Sequence, residues 1–194
     1  MNAKEMALAS LDELHEIAEN IDNDQLEALK VQLLQAQRIF VAAAGRSLLA
    51  MKFFAMRLMQ LGFTSYLVGE VCTPSIQAGD LLVLGSGSGE TAGMKAIALK
   101  AKSLGVQIAL LTRNPASSIA QIADNVVCIN SPTGIGEGAA EACGQDICDY
   151  RSIRPSGNPF EQSIVIVTDA LICSLMVQLN RGTAYIARNH ANLE

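Results

Sequence analysis

Six consecutive residues, Ser86-Gly87-Ser88-Gly89-Glu90-Thr91, stand between an apolar run, Leu81 to Leu84, and a segment of helical spacing that begins near Met94. A strand, a tight turn and a helix start meet there. Glycines at 85, 87 and 89 let a ligand approach the backbone closely. The free amides and positive dipole end of a helix N-terminus attract an anion. Hydroxyls of Ser86, Ser88 and Thr91 add neutral donors. Phosphate is the expected ligand; the alternative is that Ser88 only caps the helix while the glycines serve the turn.

The elements that must hold this loop are legible around it. Arg38 to Ala43 reads as a strand, and Ala44-Gly45-Arg46-Ser47 then opens a helical segment, Leu48 to Leu61, so a second strand, loop and helix start repeats the first. Further strands are expected at Thr64 to Val68, Val106 to Leu111 and Asn125 to Ile129, with helices at Thr91 to Leu104 and Ser117 to Ala123 between them. Strands apolar on both faces and alternating with helices predict an α/β fold with a parallel sheet sandwiched by helices. Ligands bind at the C-terminal strand ends of such sheets, and both Gly/Ser loops fall on that edge.

Composition narrows the setting. The 194 residues suit one domain with a substantial core, half of them are apolar, and there is no tryptophan. A net charge of −5 without a Lys/Arg block speaks against a nucleic-acid or anionic-membrane surface and for a small-molecule partner. Five cysteines, 72, 128, 143, 148 and 173, form no C-x-x-C pair, and no secretory signal is read at the start, so reduced thiols in the cytoplasm are expected. Cys143 and Cys148, five residues apart in a chain with two histidines, do not make a closed metal site, and no metal is expected.

Two amphipathic helices open the chain, one through Leu8, Leu11, Leu14 and Ile17 and one through Leu26, Leu29 and Leu33, as an appendage or a docking surface. His15 lies on the polar side of the first and receives no role. The helix from Leu48 to Leu61 is apolar nearly all round, which calls for a sheet on one side and a second subunit on the other. Residues 130 to 158 form a long Gly/Pro-rich loop. Its Gly134-Ile135-Gly136-Glu137-Gly138 has the wrong spacing for a nicotinamide site, and Arg151 and Arg154 are left unassigned. Asn158-Pro159-Phe160-Glu161 reads as the start of a helix to about Leu179, with Glu161 able to close a capping box. That helix is apolar almost all round and reads as core or subunit interface in preference to a membrane span. The polar end, Arg188 to Glu194, is expected to fray.

Four stretches taken together, Ala44-Gly45-Arg46-Ser47, Phe54 to Phe63, Leu84 to Thr91 and Phe160-Glu161-Gln162-Ser163, with the ending His190-Ala191-Asn192-Leu193-Glu194, resemble the 6-phospho-3-hexuloisomerase family. The Ser-Gly-Ser-Gly-Glu-Thr turn alone is similar to the wider sugar isomerase (SIS) fold, which also includes phosphosugar-sensing regulators. The resemblance implies a five-stranded parallel sheet in a three-layer α/β/α sandwich with strand order 2-1-3-4-5. The parts of this single domain would be the N-terminal helices 1–37, the sheet and helices 38–180, and the tail 181–194.

It further implies a homodimer or homotetramer that converts D-arabino-3-hexulose 6-phosphate to fructose 6-phosphate, a step of formaldehyde fixation by the ribulose monophosphate route, without a cofactor. By the same resemblance Ser47 and the loop Ser86, Gly87, Ser88, Gly89, Glu90 and Thr91 bind substrate, Glu161 is the proton-transfer base, and His190 assists proton transfer between oxygens. Moving a carbonyl to the neighbouring carbon needs one proton removed and returned through an enediol, which one carboxylate can do. The family's Gly-Ala-Gly-Arg-Ser-Gly is replaced here by Ala43-Ala44-Gly45-Arg46-Ser47-Leu48, which could reshape the sugar pocket. Isomerisation of another phosphosugar, or a non-catalytic SIS sensor, are the alternative readings.

Overall fold

A computed structural model of the chain describes residues 2–132 and 158–193. Helices α1 (Ala3–Glu19) and α2 (Asn23–Gln35) lead into β1 (Ile39–Ala43), α3 (Gly45–Gln60), β2 (Ser65–Leu67), β3 (Leu81–Gly85), α4 (Ala92–Ser103), β4 (Gln107–Thr112) and β5 (Asn125–Cys128). After the undescribed residues come α5 (Asn158–Gln178) and α6 (Thr183–Arg188). The strands form one parallel sheet in the order β2-β1-β3-β4-β5, as the resemblance implied.

Both faces of the sheet are buried, which explains why its strands read as continuous apolar runs. Ile39, Val41, Leu81, Val83, Ala109 and Leu111 face a core shared with α3 and α5. Phe40, Leu82, Leu84, Ile108 and Leu110 face the other core, which α4 closes with Met94, Ala98 and Ala101. Ile39 pairs with Leu81 and Ala43 with Gly85, so β1 and β3 end level. The chain leaves β1 towards β2 on one side and leaves β3 towards β4 on the other, making this pair of strand ends the topological switch point.

The first two helices are built into the domain. Asn2 and Glu5 close a capping box on α1, and the Asp22 side chain accepts from the Asp24 amide to start α2. Leu29 and Leu33 of α2 join the α3/α5 core. Gln25 lies along the outer edge of the sheet: its side-chain oxygen accepts the Cys128 amide at 2.8 Å and its carbonyl accepts from the Asn125 side chain at 3.2 Å.

Two sequence expectations change. Residues 117–123 form turns and no helix; the Ser117 hydroxyl accepts from the Ala120 amide, and Ile119 donates to the Gly89 carbonyl, which ties the segment to the Ser86 to Thr91 loop. The tail is docked as far as Asn189, where fraying was expected from Arg188: Arg181 donates to the Leu61 carbonyl at 2.6 Å and Asn189 to the Gln60 carbonyl at 2.9 Å, with α6 between them, while residues 190–193 are exposed. Leu48, at the start of α3, packs against the α3/α5 core. The Gly134 to Gly138 run, Cys143, Cys148, Arg151 and Arg154 lie outside the described residues.

α5 is long and apolar enough to cross a membrane, but it buries Phe160, Ile164, Leu171, Ile172 and Leu175 in the core and packs on α1, α2 and α3. The opposite outcome holds for part of α3. Met51, Phe54 and Leu58 are buried, whereas Leu49, Phe53 and Met56, at positions i, i+4 and i+7, each leave more than half of their surface exposed.

Candidate active site

Two helix N-termini converge at the switch point, and neither is capped by a side chain. Ala44 precedes α3 without a hydroxyl to offer, and Thr91 precedes α4 without turning its hydroxyl onto the helix amides. Among the described residues Ala92, Gly93 and Met94 donate their amides to no protein acceptor. The helices away from this edge that open the chain, α1 and α2, are both capped. An anion between α3 and α4 would therefore meet unsatisfied donors on two sides.

The Ser86 to Thr91 loop is shaped for such a ligand by contacts made within itself. Ser86 is buried, and its carbonyl and hydroxyl both accept from the Gly89 amide, at 3.1 and 3.2 Å. The Ser88 hydroxyl accepts from the Glu90 amide at 3.2 Å, and the Ser86 and Thr91 hydroxyls lie 3.4 Å apart. Gly89 has φ +65°, and an added Cβ there would strike the Ser117 side chain. Gly87 needs its missing Cβ for a different reason: that space is filled by the Phe160 ring and Arg113 Nε, each 3.2 Å from where the atom would sit.

Glu90 is bonded to the segment after β4. Its Oε1 accepts from the Ser118 amide at 2.6 Å, and this backbone bond, helped by the Ser118 side chain, holds its carboxyl below the ordinary glutamate range. The contact fastens the loop to that segment. Ser47, in the first turn of α3, is half-buried, and its hydroxyl bonds to no described residue.

Phe160 brings the start of α5 against Gly87, and the next residue, Glu161, faces the first turn of α3. Its Oε2 accepts from Arg46 Nε at 2.5 Å; the glutamate side chain is 13% exposed and the arginine 63%. This carboxylate reaches across to the first turn of α3. The sequence reading missed Arg46. A cation in the first turn of a helix opposes the macrodipole, and that conflict is the signal that it had a partner elsewhere. Arg113, beside Gly87, was missed as well.

His190 is not brought to this edge. It lines a groove of about 450 Å³ with Arg57, Asp169, Cys173, Met176 and Ile186, between α3, α5 and α6. Arg57 stands eleven residues along α3 from Arg46, about 17 Å at the helical rise. Among the described residues no group of three or more His, Cys, Asp or Glu side chains could hold a metal ion.

A parallel sheet in this order, with a serine- and glycine-rich loop opening a helix at its switch point, defines a phosphosugar-binding α/β domain, and a family profile described as SIS domain matches residues 32–144. The 3-hexulose-6-phosphate isomerase of Bacillus subtilis is 40% identical over all of both chains, and that of Mycobacterium gastri is 39% identical over 94% of this chain and 87% of its own. A solved Methanococcus jannaschii structure, from which a molecular function of 3-hexulose-6-phosphate isomerase was inferred, superimposes over the full length of both chains at TM-score 0.79 with 30% identity. The chain belongs to the SIS-domain family and, within it, to the 3-hexulose-6-phosphate isomerases.

Proposed function

We propose that the protein isomerises D-arabino-3-hexulose 6-phosphate to fructose 6-phosphate through an enediol, with Glu161 as the base. The observation that carries this reading is the Glu161 carboxylate, held by Arg46 at 2.5 Å beside a phosphate-binding loop. The substrate carbonyl is at C3 and the product carbonyl at C2. Glu161 takes the proton from C2, a C2–C3 enediol forms, and the same carboxylic acid returns the proton to C3 while one hydroxyl proton passes from O2 to O3. Arg46 aims the carboxylate, and its remaining donors face the developing enediolate. Ser47, Gly87, Ser88 and Thr91 take the phosphate, with Ser86, Gly89 and Glu90 shaping the loop from behind.

The oxygen-to-oxygen transfer falls to His190 of a second copy, since within one chain it lies at the far end of α3. The exposed stripe Leu49, Phe53 and Met56 is the surface through which a homodimer or homotetramer would form. No metal or organic cofactor is needed for this chemistry, and a cytoplasmic setting accords with it.

Incubating the purified protein with a panel of ketose and aldose phosphates, without added metal, and following interconversion by NMR tests the reading. Interconversion of the 3-hexulose and fructose phosphates is expected. Binding without turnover would replace the enzyme by a sensor, and turnover of another pair alone would replace the substrate.

A further inference from the structure

Arg113 is the residue at this edge that the reaction described above leaves unused. It follows the last residue of β4, and its backbone is tied to the phosphate loop: the Arg113 amide donates to the Gly87 carbonyl at 3.1 Å, and the Thr112 hydroxyl reaches the same carbonyl at 3.3 Å. Its side chain then folds against Gly87, with Nε 3.2 Å from the position a Cβ would take there and the Phe160 ring alongside.

In that place two of its three nitrogens, Nε and Nη1, are buried and have no hydrogen-bond partner. An arginine stays protonated, so this is a partly buried cation with two unmet donors, an arrangement that costs stability until an acceptor arrives. The neighbouring cations are already engaged: Arg46 donates to Glu161 and Lys95 to the Ser118 hydroxyl. Glu90, the nearest carboxylate of the loop, is held by the Ser118 amide. The loop itself offers an anion only amides and hydroxyls, which are neutral.

We propose that Arg113 is the cationic anchor of the phosphate site, its guanidinium closing on the phosphate oxygens that the Ser86 to Thr91 loop holds beside Gly87. A dianion gains from a delocalised cation with forked donors where neutral donors alone would leave its charge unmatched. The ligand class is a phosphomonoester, and discrimination against the unphosphorylated sugar follows from Arg113. The assignment rests on the phosphosugar reading of this site but not on which sugar is turned over.

The test replaces Arg113 by Met, which keeps the stem in its packing and removes the charge, and by Lys, which keeps the charge without the fork. Melting temperature is recorded without ligand and with fructose 6-phosphate or inorganic phosphate, alongside steady-state isomerisation. For Arg113→Met the ligand-free protein should melt no lower than wild type, the shift induced by fructose 6-phosphate should largely vanish, and KM should rise about 10- to 100-fold with kcat little changed. Arg113→Lys should recover part of the ligand-induced shift. An unchanged shift in Arg113→Met, or a ligand-free protein that melts several degrees lower, would overturn the assignment. If the Met variant does not fold, an Arg113→Lys protein with a full wild-type shift overturns it equally. Wild type that binds fructose 6-phosphate without isomerising it would sink the proposed reaction while leaving the Arg113 comparison decisive.

Discussion

Arg46 and Glu161, 115 residues apart in sequence, meet at 2.5 Å across the C-terminal edge of the sheet and join the first turn of α3 to the first turn of α5. The contact fixes one carboxylate oxygen while the glutamate side chain stays largely buried. Glu161→Gln should preserve the helix start and lower kcat by roughly 10²- to 10⁴-fold, with the far-ultraviolet spectrum and melting point near wild type. A purified Gln variant with undiminished turnover would remove Glu161 from the chemistry.

Arg46→Met separates aim from fold. Because the arginine is mostly solvated, the pair should contribute no more than about 1 kcal/mol to stability. Turnover should still fall steeply, since the carboxylate loses the group that orients it. Urea unfolding and initial rates on the same preparation check this, and a parallel loss of stability and rate would point to a structural role.

His190 gives a prediction about assembly. Neither Glu161→Gln nor His190→Asn alone should be active, yet mixed oligomers should be, because one site then receives both native residues. For a randomly mixed dimer the recovered rate is about a quarter of wild type, half of the pairs being mixed and each carrying one intact site of two. Refolding the two variants together and assaying the mixture measures it; no recovery would place His190 outside the site.

Phe53→Asp puts a charge in the exposed stripe of α3. Losing the aromatic contact that the proposed interface would bury should weaken self-association by roughly 10- to 100-fold, and sedimentation over a concentration series reads that directly. Activity should follow the dissociation curve. A Phe53→Asp protein of wild-type mass and rate would move the interface elsewhere.

Glu90 supplies the pH dependence. Its folded-state carboxyl titrates below the ordinary value of 4.5, so its contribution is fully present above that value and is lost as pH falls through the depressed one. Glu90→Gln should flatten the acid limb of a melting-temperature profile recorded from about pH 3 to 7. An acid limb identical to wild type would mean that the Ser118 contact does not hold the loop.

Much of the architecture was legible because it is written locally. Apolar runs such as Leu81 to Leu84 mark strands buried on both faces, and Gly/Ser turns mark their C-terminal ends. What escaped was set by distant partners. Ser117 to Ala123 has acceptable helix formers yet forms turns tied through Ile119 to the Gly89 carbonyl, and the tail is held by Arg181 reaching the end of α3. Glu161 could be named from the Phe160-Glu161-Gln162-Ser163 stretch, whereas Arg46 acquires meaning only once α3 and α5 lie side by side. Arg113 carried no spacing signal at all; its position against a glycine without a side chain exists only in three dimensions.

The hydrogen bonds from β5 to Gln25 bear on how the protein survives at high concentration. A parallel sheet has two outer strands whose free amides and carbonyls can recruit another molecule's strand. Here β2 limits that risk by being three residues long, while β5 has its Cys128 amide occupied by a side chain from α2. Cutting away the opening helices would leave that border unguarded, and the expected result is precipitation through edge-to-edge strand pairing.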